Sequence, residues 1–142
     1  MCLIGRREFV DFSILGIIGI EAKIDTGAYT SSIHCENIFV TTKNNKSILS
    51  FSITQTINGI NQTKTFEFEE FSQKKIKNSF GELELRYTIK TLIKLGPKKI
   101  WSTLSLSNRE KMRYPVLIGR KLIKNKFIID VNKIHTNGIK LI

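Results

Sequence analysis

The sequence predicts an all-β fold, a small closed barrel with one short helix near the C-terminus. Three observations carry that expectation. Apolar and polar residues alternate through much of the chain, which is the period of a half-buried strand. Turn pairs, Asn58-Gly59 and Gly96-Pro97, punctuate the alternating runs. Outside 119-GRKLIKN-125, no apolar stripe repeats at helical spacing over ten residues.

Taken in order, Ile18, Ile20, Ala22 and Ile24 share one face of a first strand, with Gly19, Glu21, Lys23 and Asp25 opposite. Leu49, Phe51, Ile53 and Ile57 alternate with serine and threonine, turn at Asn58-Gly59, and return through Phe66 and Phe68. The longest run sets Leu83, Leu85, Tyr87, Ile89 and Ile93 against Glu82, Glu84, Arg86, Thr88 and Lys90. Further strands are expected at 101-WSTLSL-106, 114-YPVLI-118 and 127-FIIDV-131, with a turn or two of helix over 119–125. The polar segments 36–47 and 72–79 are expected as solvated loops. No linker, repeat or low-complexity tract divides residues 1–142, so one domain is expected.

Composition narrows the function classes. An apolar fraction of 41% over 142 residues is that of an ordinary globular chain with a core of its own. Cys2 and Cys35 make no disulfide framework, and a reducing, cytoplasmic location is the expectation. The N-terminus does not read as a signal peptide, and no run of eighteen apolar residues suggests a membrane helix. The net charge of +11 invites a nucleic-acid reading. However, 17 of the 23 basic residues are scattered lysines, and Ile, Lys and Asn supply 50 of the 142 residues, the bias of AT-rich codons. A specific nucleic-acid partner is therefore not expected.

The stretch that carries chemistry is 22-AKIDTGAYTSSIHC-35. An apolar strand runs into Asp25, one of three aspartates in the chain, followed by Thr26 and Gly27. Such an aspartate can simply cap a turn by accepting backbone N–H groups. It can also be a reactive carboxylate held on a rigid strand end, with Gly27 leaving room for a ligand. One carboxylate cannot be both acid and base toward a single water, whereas two that share a proton can. The chain has no second Asp-Thr/Ser-Gly, and its other aspartates are Asp11 and Asp130. A two-fold homodimer would supply the second copy.

Five segments, 3-LIGRREFVDF-12, 22-AKIDTGAYTSSIH-34, 81-GELELRYTI-89, 109-REKMRYPVLIGRKLI-123 and 127-FIIDV-131, together resemble a retropepsin-like family. Its members were first named ATP-dependent zinc proteases and are relatives of retroviral aspartic proteases. The most specific part is an early Asp-Thr-Gly-Ala paired with a late Leu117-Ile118-Gly119-Arg120. The resemblance implies a homodimeric aspartic endopeptidase on a retropepsin-type barrel, acting on a peptide or protein substrate without a cofactor. It implies Asp25 as the catalytic residue, Thr26 as the cross-link between two active-site loops and Gly27 beside the substrate backbone. Ala28 and Tyr29 would follow in the substrate site, and Gly119 and Arg120 would support it structurally.

Two departures qualify these expectations. Tyr29 stands where many members have arginine and retroviral enzymes an acidic residue, so Arg120 lacks its usual ionic partner. No glycine-rich flap follows Asp25, and the Asn58-Gly59 hairpin is the substitute on offer. Zinc chemistry is not expected: Cys2, His34, Cys35 and His135 show no HExxH, CxxC or convergent spacing. Glu82, Glu84 and Arg86 fall on one strand face, where Glu82 and Arg86 are candidates for gripping a charged substrate end. A solvated, salt-bridged face explains the same pattern, and the same holds for Arg109 and Arg113.

Two functions follow from the resemblance. One is the homodimeric endopeptidase; the other is a weakly active or inactive module that binds peptides. Members of the family occur near ATP-grasp ligases that attach glutamate to proteins, which suggests a link to glutamate-modified chains.

Overall fold

A computed structural model of the chain describes residues 1–77, 80–108 and 113–141. Its centre is a closed six-stranded barrel. The strands are β1 (Cys2–Ile4), β2 (Arg7–Phe12), β3 (Ile17–Ile24), β4 (Ser31–His34), β5 (Glu36–Lys43), β6 (Lys46–Ile57), β7 (Ile60–Phe68), β8 (Ser72–Lys77), β9 (Leu83–Leu95), β10 (Lys98–Ser107), β11 (Val116–Ile118), β12 (Phe127–Ile129) and β13 (Ile139–Lys140). The barrel runs β10-β4-β11-β3-β2-β9 and closes because β9 also pairs with β10, Leu104 opposite Ile89. One short helix, α1 (Arg120–Ile123), follows β11. The expected fold class is the one observed. Among the described residues, no helix is long and apolar enough to cross a membrane.

The alternation that predicted the strands is the alternation that fills the core. Ile20, Ala22 and Ile24 of β3, Leu49, Phe51 and Ile53 of β6, and Ile89, Ile93 and Leu95 of β9 are buried. Ile18 departs from this pattern, since it is exposed while Ile17 is buried. The cause is a bulge. Val10 faces Ile20 and Phe12 faces Ile17, so Ile18 and Gly19 together oppose Asp11. Gly19 takes φ +67°, and its N–H donates to Asp11 Oδ1 at 2.8 Å.

Both expected loops are corrected to strands. Residues 36–47 form β5, a two-residue turn at Asn44-Asn45 with φ of 51° and 62°, and the start of β6. Most β5 side chains are exposed, so no apolar alternation marked it. Residues 72–77 form β8, a terminal strand of its sheet rich in lysine, which blunts an open edge. The end of that segment, 78–79, and Arg109 lie outside the described residues.

The termini are tied to the barrel by a buried carboxylate. Glu8 is fully buried, and it accepts from the Gly5 N–H at 2.7 Å, the Asn137 N–H at 2.9 Å, and the Thr136 hydroxyl at 2.7 Å. β1 sits between β12 and β13 in a separate three-stranded sheet. The same C-terminal segment brings His135 to Glu21 at 2.6 Å and stacks its ring on Phe9.

Candidate active site

β3 and β11 run parallel, Ile24 opposite Ile118, and deliver Asp25 and Gly119 to one end of the barrel. The Asp25 N–H donates to Ile118 O at 2.9 Å, which fixes where the strand ends. The chain then turns. Asp25 Oδ1 accepts the Gly27 N–H at 3.0 Å, and Asp25 O accepts the Ala28 N–H at 3.2 Å. Asp25 thus caps its own turn and remains half-buried, while Thr26 and Gly27 are exposed. Among the described residues, the Thr26 hydroxyl has no hydrogen-bond partner.

The turn is clamped from behind. The Arg120 N–H donates to Ala28 O at 2.9 Å and the Lys121 N–H to Tyr29 O at 3.0 Å. The Gly119 N–H donates to the Ser31 hydroxyl at 3.0 Å. Gly119 is required by contact: a Cβ there would lie 2.5 Å from Tyr29 O and 2.8 Å from Thr30 C. These bonds account for the distant pairing of Asp-Thr-Gly-Ala with Leu-Ile-Gly-Arg.

Arg120 has found other partners for its charge. Its Nη1 donates to Thr26 O at 2.7 Å, and its guanidinium lies 5.8 Å from the centre of the Tyr29 ring. The sequence showed that an ionic partner was missing but not that an aromatic face had replaced it. Arg120→Ala is expected to lower stability by about 1 kcal/mol, a loss of about 2–4 °C in Tm. Arg120→Lys is expected to recover less than half of that, since an ammonium lacks the planar fork and stacking face. Thermal unfolding of both variants checks this.

The other sequence candidates lie elsewhere. Asn58-Gly59 forms the expected two-residue turn, with φ of 51° and 76°. Gln55 donates to Ile18 O and Lys64 to Gly16 O, so the hairpin is fastened beside the start of β3. Asp25 is seven residues further along, roughly 23 Å at strand spacing. Arg86 reaches Glu84 at 3.8 Å on the same face of β9, and Glu82 is exposed at the head of that strand. Among the described residues, no hydrogen bond joins Arg86 to the Asp25 turn. Arg113 faces the Tyr114 ring at 5.7 Å.

Among the described residues, no three His, Cys, Asp or Glu side chains gather as metal ligands. His34 lies 3.6 Å from Glu36, while Cys35 is buried behind it with its thiol 3.7 Å from Ile33 O. Burial pushes the Cys35 thiol from its ordinary 9.0 up to about 12. Below pH 9 folded and unfolded chains both hold this proton, and stability is unaffected. Between pH 9 and about 12 only the folded chain keeps it, so stability falls by roughly 1.4 kcal/mol per pH unit. Urea unfolding at pH 8 and 11 is expected to show wild type losing roughly 3 kcal/mol more than Cys35→Ala.

A barrel that carries Asp-Thr-Gly on one strand end, locked by Gly-Arg from a neighbouring strand, is retropepsin-like. The chain belongs to the family described as RimB-like, retropepsin-like aspartic endopeptidase RimB, whose profile matches residues 3–138. A crystal structure of a Legionella pneumophila protein of unknown function superposes with a TM-score of 0.72 at 28% identity, covering 95% of this chain and 97% of that one. Two probable alpha-L-glutamate ligases are also similar. The one from Shewanella halifaxensis is 36% identical over 90% of this chain and 28% of its own length. The one from Shewanella pealeana is 35% identical over 97% of this chain and 30% of its own length. The chain thus spans less than a third of these curated relatives.

Proposed function

We propose that this chain is a retropepsin-fold recognition domain for glutamate-modified proteins, built around one half of an aspartic-peptidase site. The observation that carries the reading is the Asp25 turn, a single carboxylate clamped at the barrel end by Gly119 and Arg120. One such carboxylate can hydrogen-bond a peptide but cannot serve as both acid and base. The likeness to part of each glutamate ligase supports glutamate-bearing chains as the partner class. The test is titration of the protein with a peptide ending in several glutamates and with the same peptide ending in glutamines. The glutamate tail is expected to bind at least tenfold more tightly; equal affinity would remove the partner class.

A second reading, the homodimeric aspartic endopeptidase, is favoured by the exposed Thr26 hydroxyl, free to cross to a second copy. Two Asp25 residues brought together would share one proton. The ionised copy takes a proton from water as the water oxygen attacks the peptide carbonyl carbon. The protonated copy gives its proton to the carbonyl oxygen. Return of a proton to the amide nitrogen then breaks the C–N bond and releases an amine and an acid. Every step uses the two carboxylates and one water. An extended peptide would lie across the two-fold axis, its main chain paired with strand edges.

A further inference from the structure

Between β9, β10 and α1 lies a cavity of about 270 Å³ that none of the chemistry above uses. Its lining includes Lys90, Lys121, Lys126, Trp101, Thr103 and Ser31, and contains no aspartate or glutamate. The lysines come from two places in the sequence, Lys90 on β9 and the basic segment 120–126, and only the fold brings them together. Strand register sets Lys90 directly opposite Thr103, and Lys121 Nζ reaches the Thr103 hydroxyl at 3.4 Å. Lys43 and Lys46, on the β5–β6 hairpin, each find a carboxylate, Glu67 and Glu69. Among the described residues, none of the three cavity lysines has one. Gathering like charges without a counter-ion opposes folding, and an anion in the cavity would relieve it.

The remaining walls favour a side chain with both an apolar stem and a charged end. Ile100 and Leu122 supply apolar surface, and Trp101 is 61% exposed at the cavity. A glutamyl side chain would lay its methylenes on these groups and its carboxylate among the ammonium and hydroxyl groups. The cavity is smaller than a drug-sized ligand site, about 300–1,000 Å³, and suits a residue or two of an acidic segment. It is also coupled to the Asp25 turn. Ser31 lines the cavity and holds the Gly119 N–H, and Lys121 lines it and holds Tyr29 O.

We infer that this cavity is a carboxylate-binding exosite that takes glutamate side chains from an acidic tail while the tail's parent chain lies at the Asp25 turn. The inference rests on the reading of glutamate-modified partners and adds the place that recognises the glutamate. The test uses the full chain and the two peptides already named, ending in glutamates or in glutamines. Lys90, Lys121 and Lys126 are replaced together by alanine. A control triple variant replaces Lys94, Lys133 and Lys140, removing equal charge elsewhere. Affinity for the glutamate peptide is expected to fall at least tenfold in the cavity variant and less than threefold in the control. Trp101→Ala alone is expected to weaken the same peptide about threefold or more, at unchanged net charge.

Equal losses in the two triple variants would mean general attraction by charge and would overturn the exosite, leaving the partner class in place. A wild type that prefers neither peptide would overturn the partner class, and the exosite with it. Inorganic phosphate or a single-stranded oligonucleotide that binds the wild type more tightly than the glutamate peptide, and is lost in the cavity variant alone, would assign the cavity to phosphate instead.

Discussion

Replacing Asp25 by asparagine is expected to leave affinity for a glutamate-tailed peptide within about twofold, and on the endopeptidase reading to lower hydrolysis by paired protein at least ~10³-fold. Asparagine keeps the shape of the side chain and its Oδ1, so the bond from the Gly27 N–H at 3.0 Å survives and the turn keeps its form. It cannot take a proton from water, and it cannot hold the ionisable proton that the second copy would donate. Binding by the exosite does not involve Asp25, because Asp25 does not line that cavity. Isothermal titration and product analysis on the same preparations separate the two effects. Loss of binding along with hydrolysis would mean that Asp25 anchors the peptide, and unchanged hydrolysis would mean that another group performs it.

The second large effect is structural. Gly119→Ala is expected to cost about 3 kcal/mol or more and to disorganise the Asp25 turn. The added Cβ meets backbone, Tyr29 O at 2.5 Å and Thr30 C at 2.8 Å, with no flexible side chain that could move aside. Separating the two segments would break the bonds from Arg120 N–H to Ala28 O and from Lys121 N–H to Tyr29 O. The backbone at Gly119 is extended, φ −92° and ψ 173°, so its conformation suits any residue and the penalty is contact alone. Urea unfolding measures the cost. Affinity for the glutamate peptide is expected to fall too, because Ser31 and Lys121 line the exosite and hold this junction.

The parts of this fold that could be read from sequence are those in which one face of a strand is buried. β3, β6, β9 and β10 announced themselves because their apolar residues alternate against a core. β5 and β8 did not, because most β5 side chains and those of residues 72–75 in β8 face solvent, and backbone hydrogen bonds leave no mark on composition. The bulge at Gly19 inverted Ile17 and Ile18 because one extra residue shifts a period-two pattern to the other face. The Asp25 turn and its clamp were legible because both are contiguous motifs. Tyr29 stacking on Arg120, the Glu8 knot and the three cavity lysines were not. Each joins residues far apart in the chain, a pairing that closure of the barrel creates.

Both functional readings start from the Asp25 turn as one half of an aspartic-peptidase site, and they part on whether a second copy completes it. The most direct measurement is the separation of the two Asp25 carboxylates in a crystal of the protein grown with the glutamate-tailed peptide. The recognition domain predicts bound peptide without such a pair, whereas the endopeptidase reading predicts oxygens about 3 Å apart, close enough to share a proton, with the two Thr26 hydroxyls crossed behind them. Peptide bound to a single chain, or to a pair that holds these carboxylates too far apart to bridge one water, would bear out the recognition domain; carboxylates that share a proton would contradict it in favour of the endopeptidase.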